Sequence, residues 1–287
     1  MAQEREIATR IASLSELNEI LSAIRAMAAS QMQQALVSLE AIRGYSDIVR
    51  EALVDSATLL PSDGVAAPAR ESSRMGLVVF CAEHGLCGGF NELMLRDAET
   101  EMAGGSNRIA LVVVGTRGGQ LSRERRLHPA LTLPMATHCE GVTAAARRVA
   151  AELYRMFSRR EIAGVEVVYA QQAGGQFAHI ERHRLLPLEM PATRQHRAEL
   201  PPLINVAARR LFDDIVGEYF FATLENAAMQ SFFSENAARF RTMEAAHQNI
   251  EKKSGELTRL IRRLRQEAVT TEILDLISGA EALSAKN

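Results

Sequence analysis

Residues 7–42 read IATRIASLSELNEILSAIRAMAASQMQQALVSLEAI, and their apolar spacing decides the architecture. Ile7, Leu14, Leu21, Ala28, Ala35 and Ile42 keep one seven-residue register without a break. A second row starts at Ile11, passes through Leu17 and Ile24, then shifts to Met32 and Leu39. A heptad sustained this long, with one register slip, predicts a coiled-coil helix rather than the broad apolar face of a globular one. Between Gln3 and Thr58 there is no proline and a single glycine, Gly44. A continuous helix over that stretch would be roughly 80 Å long, more than a compact domain needs.

The other end of the chain behaves alike. From Leu203 to Asn287 there is no proline, and the only glycines are Gly217, Gly255 and Gly279. Met243, Ile250, Leu257 and Leu264 hold one heptad position; Phe240, Ile261 and Ala268 hold the other, interrupted by polar His247 and Ser254. A lone helix of roughly 100 Å cannot bury its own stripe. The two terminal helices are therefore expected to bury theirs against each other.

Between them the period changes. Residues 61–74 (PSDGVAAPARESSR) read as a loop. Residues 75–81 (MGLVVFC), 108–114 (RIALVVV) and 165–170 (VEVVYA) are short β-branched apolar runs. They alternate with helical patterns at 91–102 and 143–158, which predicts a mostly parallel α/β sheet. Residues 176–186 alternate more openly, as an edge strand or hairpin arm does, and the GTRGG at 115–119 closes the second run. Pro187, Pro191, Pro201 and Pro202 end the region. The expected division is an N-terminal coiled-coil helix over 1–58, an α/β domain over 75–195 and a C-terminal coiled-coil helix over 203–287.

Bulk properties narrow the function classes. Net charge is −2 over 287 residues, which favours neither nucleic acid nor an anionic membrane surface. Cys81, Cys87 and Cys139 make an odd count without C-x-x-C spacing, so neither a disulfide framework nor a zinc site is expected. The opening MAQERE lacks an apolar signal core, and no run of about eighteen apolar residues could span a bilayer. Contact with a membrane would then come through a partner.

Several motifs invite chemistry and are better read as structure. HGLCGGFN (84–91) lies between a strand and a helix, where α/β folds place phosphate loops. Its Gly85, Gly88 and Gly89 do not match G-x-G-x-x-G, and no Lys-Ser/Thr follows, so a tight turn is expected rather than a nucleotide site. His179, Glu181 and His183 share one strand face and could bind a metal, but flanking Arg182 and Arg184 suggest a solvated face. Cys87 reads as a small buried thiol rather than a nucleophile. Arg259, Arg262, Arg263 and Arg265 span a band of roughly 160° around the last helix. No acid lies between Glu256 and Glu267, so this basic collar is expected to stay unneutralised by its own helix and to meet an acidic partner surface.

Taken together, these motifs resemble a known family, the gamma subunits of F-type ATP synthases. Residues 11–13, Ile20, Ala23, residues 28–30 and Met32 are similar to that family's opening KxxxAMxxVAASKM. GLCGGFN, carrying Gly85, Leu86, Cys87, Gly88, Gly89 and Asn91, resembles its RGLCGGLN almost letter for letter. SENAAR (234–239), MEAA (243–246), Asn249, Arg265, Gln266, Thr270, Glu272, Gly279 and Ala280 follow its C-terminal signature in order, and RLLPL (184–188) also has a counterpart. The likeness runs the whole length.

The resemblance implies an asymmetric antiparallel coiled coil of the terminal helices with a Rossmann-like domain at its base. It implies a non-catalytic central-stalk rotor that carries no cofactor and turns inside a hexamer of alpha and beta subunits. The base would dock on the ring of c subunits beside epsilon, peripheral to the cytoplasmic face of the bacterial inner membrane. It implies no nucleic acid and no small-molecule substrate. Arg265, Gln266 and Thr270 would meet a loop of beta. Departures such as Gln31 for the family's lysine, and IRRLRQE (261–267) for its YNKARQA, are read as marking a divergent branch, the alternate bacterial form. A structural coiled-coil adaptor with a vestigial nucleotide fold is the alternative reading.

Overall fold

The computed structural model describes residues 2–60, 74–104, 108–171, 179–188 and 203–284; residues 61–73 of the expected loop, residues 176–178 of the expected edge strand and Pro191, Pro201 and Pro202 lie outside that range. In chain order the elements are α1 (Ala2–Thr58), β1 (Arg74–Phe80), α2 (Phe90–Ala103), β2 (Ile109–Val114) and α3 (Thr116–Glu124). They continue with β3 (Leu131–Leu133), α4 (Val142–Ser158), β4 (Ile162–Gln171), β5 (His179–Leu186) and α5 (Ala208–Ser284). A short 3-10 turn, Cys139–Gly141, leads into α4.

The sheet order is β3-β2-β1-β4-β5. The first four strands are parallel, with Val78 level with both Val112 and Val167, and β5 closes the edge antiparallel to β4. Runs such as LVVF and ALVVV are apolar on both faces because both faces are covered. On one, Val78, Phe80, Val112, Val114 and Val167 meet Val142, Ala145, Val149 and Leu153 of α4, Ala35 and Leu39 of α1, and Leu224, Ala228 and Phe232 of α5. On the other, Leu77, Val79, Leu111, Val113 and Val168 meet Phe90, Met94, Leu95 and Ala98 of α2. Each fully buried Leu or Phe in these layers contributes about 1.5–3 kcal/mol, which is why the sheet rather than any one helix anchors the domain.

Two compact units divide the chain, one of Met1–Met27 with Phe240–Asn287 and one of Ala28–Arg239. The division falls inside both long helices, not at their ends where the sequence suggested it. The reason is packing: beyond Ala28, α1 turns its apolar row onto the sheet layer, and α5 does the same before Arg239.

In the first unit the helices run antiparallel, since Glu4 meets Arg265, Asn18 meets His247 and Arg25 meets Glu244. These pairs also correct the expected register slip. Positions 4, 11, 18, 25, 32, 39, 46 and 53, with 7, 14, 21, 28, 35, 42, 49 and 56, are all buried or half-buried, in unbroken alternation of three and four. Leu17 is off the seam and 50% exposed. The second row passes through Asn18 and Arg25, polar residues that a search for apolar periodicity steps around. On α5 the seam continues through Met243, His247, Ile250, Ser254, Leu257, Ile261 and Leu264, while Ala268, expected on it, is exposed.

Two elements were not foreseen. The GTRGG stretch is not the tail of β2 but the start of α3, and β3 is only three residues long. Helix α5 begins five residues later than expected, at Ala208 rather than Leu203.

Candidate functional site

Parallel sheets offer ligands the crevice beyond the carboxyl ends of the strands, where the strand order reverses. Here that point lies between β1 and β4, and the sequence leading out of β1 builds its rim. Asn91 Oδ1 accepts the Ala82 N–H at 2.8 Å, tying the chain just after β1 to the first turn of α2 across the GLCGGFN turn, and Asn91 Nδ2 lies 3.7 Å from Cys87 Sγ. Leu86 and Gly88 adopt φ of 64° and 57° to make the reversal. Leu86 points outward at 59% exposure, while Cys87 is buried. Burial, and then the neighbouring Glu235 charge, push the Cys87 thiol up, the opposite of what a nucleophile requires.

Glu83 holds the second side of the rim. Its carboxylate accepts Thr116 N–H at 2.9 Å, Thr116 Oγ1 at 2.7 Å and Met135 N–H at 2.8 Å. Burial pushes this carboxyl up, but those three donors outweigh it and hold it below the usual carboxylate range. The anion a helix N-terminus attracts is thus supplied at α3 by the chain itself. Gly115 and Gly118 make the close approach possible. A Cβ on Gly115, whose φ is +120°, would sit 2.5 Å from the Cys81 carbonyl oxygen, and one on Gly118 would sit 2.1 Å from Cys81 Cβ.

The crevice itself is filled. Helix α5 crosses the strand ends there, Ser231 Oγ donating to the Phe80 carbonyl and Ser234 Oγ to the Ala170 carbonyl, each at 3.1 Å. Phe232 fills the sheet layer on one side, and Ala238 reaches the layer on the other. Arg239 then ties three points: Glu235 Oε1 at 2.5 Å, Asn236 Oδ1 at 3.0 Å and the Gly85 carbonyl at 3.4 Å. Burial raises the Glu235 carboxyl to about 7, with the Arg239 guanidinium opposing the rise. SENAAR and GLCGGFN, some 150 residues apart in sequence, are therefore the two halves of one joint. Sequence reasoning found both motifs but not their meeting, because nothing local records a contact across that separation.

The suggested metal face divides. His179 Nε2 lies 2.9 Å from Glu181, while His183 faces the Tyr219 hydroxyl at 3.5 Å. Arg182 engages Asp97, Glu101 and Glu166. No cluster able to hold a metal occurs among the described residues.

In the other unit, Arg259, Arg262, Arg263 and Arg265 are all exposed on α5. The collar is less bare than the sequence implied: Arg263 pairs with Glu267 at 2.9 Å, one turn on, and Arg265 with Glu4 of α1 at 3.0 Å. The expectation failed because it looked for acids inside the segment and missed one at its border and one on the partner helix. Arg259 and Arg262 make no ion pair among the described residues. From 265 to 274 the helix has no seam: these residues are all exposed, including Gln266 and Thr270. Val269, Ile273 and Ile277 form an apolar row 55%, 51% and 51% exposed.

Long paired helices, a crevice at the strand ends filled by α5 and an exposed stretch of α5 over 265–274 define a mechanical subunit rather than one that turns over a substrate. Comparison with known proteins agrees. The family model described as ATP synthase matches residues 3–283. The ATP synthase gamma chain of Geobacter sp. (strain M21) is 27% identical over 99% of both chains. That of Desulforamulus reducens is 26% identical over 99% of this chain and 100% of its own. A chain of the Euglena gracilis mitochondrial ATP synthase OSCP/F1/c-ring structure superposes with a TM-score of 0.66 at 13% identity, covering 99% of this chain and 95% of that one. A chain of the Tetrahymena thermophila mitochondrial central stalk and c-ring structure gives 0.58 at 19% identity, over 79% and 99%. The chain belongs to the ATP synthase gamma-chain family, the non-catalytic rotor subunits of the central stalk. No helix among the described residues is long and apolar enough to cross a membrane.

Proposed function

We propose that α1 and α5 form the shaft that turns inside a hexamer of alpha and beta subunits, while the α/β domain couples it to a ring of c subunits beside epsilon. On this reading the chain sits peripherally on the cytoplasmic face of the bacterial inner membrane and transmits ion flow to ATP synthesis or hydrolysis. Arg265, Gln266 and Thr270 contact a loop of beta, and Arg259, Arg262 and Arg263 face acidic surface around it. The observation that carries this is the exposed stretch of α5 over 265–274, where a basic band adjoins an apolar row that has no cover among the described residues. A helix left so would be a liability unless partner subunits enclose it.

Co-purification tests the proposal. The tagged chain should bring down alpha and beta subunits in stoichiometric amounts; recovery without them would favour the coiled-coil adaptor. Arg265→Ala should lower coupled turnover of the reconstituted complex more than its assembly. An unchanged ATPase rate and torque would remove Arg265 from the contact.

A further inference from the structure

The contacts that bury α5 in the sheet layer are mostly apolar, and apolar contact is non-directional. Such packing holds the helix on the sheet, and directional bonds add to it a defined azimuth. The directional ties from α5 to the ends of β1 and β4 and to the turn after β1 lie in one short stretch, while Tyr219, about three turns earlier, meets His183 of β5. Ser231, Ser234, Glu235 and Arg239 fall within a band of roughly 140° at 100° per residue, all on the side turned to the strand ends. Each tie ends on a different anchor: the Phe80 carbonyl at the end of β1, the Ala170 carbonyl near the end of β4, and the Gly85 carbonyl in the turn. The acceptors belong to the sheet and the turn, not to other side chains, so their positions are fixed by strand pairing and by the Asn91 bond. Arg239 is itself braced by Glu235 and Asn236, so its guanidinium is held at the turn.

We infer that Ser231, Ser234 and Arg239 are torque-bearing positioning residues that lock the azimuth of α5 against the carboxyl ends of β1 and β4. The inference rests on the rotor reading. The crevice that elsewhere receives a nucleotide serves here as a keyed socket, and the two hydroxyls and the guanidinium are its key. A load on α5 is resisted first by these bonds. Losing them lets the helix slip under load while it remains buried.

The test uses the complete complex reconstituted in sealed vesicles, comparing ATP hydrolysis with ion pumping as the opposing gradient grows. The double variant Ser231→Ala, Ser234→Ala should assemble and hydrolyse ATP normally without a gradient. Against a full gradient it should slip roughly tenfold more often, the scale of one or two lost hydrogen bonds. Arg239→Gln should behave alike, and Ser231→Thr with Ser234→Thr should restore coupling. Glu83→Gln serves as the control, because its hydrogen bonds hold Thr116 and Met135 of the same domain and none of them reaches α5. Slip in that control equal to slip in the serine variant would overturn the inference, as would a serine variant that holds the full gradient. If the wild-type chain itself supports no coupled pumping, the rotor reading fails instead.

Discussion

Replacing Glu83 by glutamine isolates how much a single buried-edge carboxylate contributes to this domain. The carboxylate accepts three hydrogen bonds of 2.7, 2.8 and 2.9 Å, two from backbone N–H groups at Thr116 and Met135. Bonds to a charged acceptor contribute about 1.5–3 kcal/mol and neutral ones about 1, so losing the charge costs roughly 0.5–2 kcal/mol per bond. Loss of an anion at the α3 N-terminus adds about 0.5 kcal/mol. Glu83 is only half-buried, so solvent screening brings the sum to about 2 kcal/mol. For a unit of this size that is a fall in Tm of about 4–8 °C. The pH dependence is the sharper signature. Because the folded carboxyl lies below its unfolded value of 4.5, its stabilisation is complete above the unfolded pKa and is lost as pH falls through the folded one. Urea unfolding of wild type and variant should therefore differ fully at neutral pH and converge in acid. A gap that is equally wide in acid, or smaller than about 0.5 kcal/mol at neutral pH, would refute the assignment.

Three further outcomes follow from the geometry. Asn18→Leu alone strands the ring of His247, 2.6 Å away, and should cost about 1–2 kcal/mol, whereas Asn18→Leu with His247→Leu should recover that and more. Hydrogen exchange along the first turns of α1 measures both, and a double variant weaker than the single would sink the idea. Glu235 keeps a proton up to about 7 when folded but only to about 4.5 when unfolded, so stability falls as pH rises through that window. The wild-type-minus-variant difference for Glu235→Gln should shrink across the same range, and a constant difference would contradict it. Gly118→Ala forces a Cβ to 2.1 Å from Cys81 Cβ and should cost about 3 kcal/mol, partly rescued by Cys81→Gly. Expression and melting of the pair would decide.

The sequence was legible where a residue's surroundings follow from its near neighbours. Strands β1, β2 and β4 announce themselves as Val/Leu/Ile runs because burial on both faces demands it. The Ile7–Ala28–Ile42 row was readable for the same reason. The second row was not, since Asn18 and Arg25 are acceptable in a seam only because His247 and Glu244 face them more than two hundred residues on. GTRGG reads as the end of the second strand run because glycine disfavours helices. It lies in α3, and glycine stands there because Cys81 and Thr132 leave no space for a Cβ at Gly118 and Gly119, a fact of tertiary contact alone. Likewise HGLCGGFN gave away its tight turn, but not that α5 would occupy the crevice above it.

That occupation has a consequence for synthesis. One face of the sheet takes part of its cover from Ala35 and Leu39 and part from Leu224, Ala228 and Phe232. A nascent chain emerging from the ribosome can pair β1, β2 and β4 long before it can close that layer. Until the polypeptide has been extended past Arg239, Phe80 and its neighbours have only part of their cover. Contacts spanning so much sequence are slow to form, and an intermediate that waits for them is exposed to aggregation. The chain thus pairs its sheet first and completes its cover last, and a ribosome that stalls before α5 releases a sheet with an open seam.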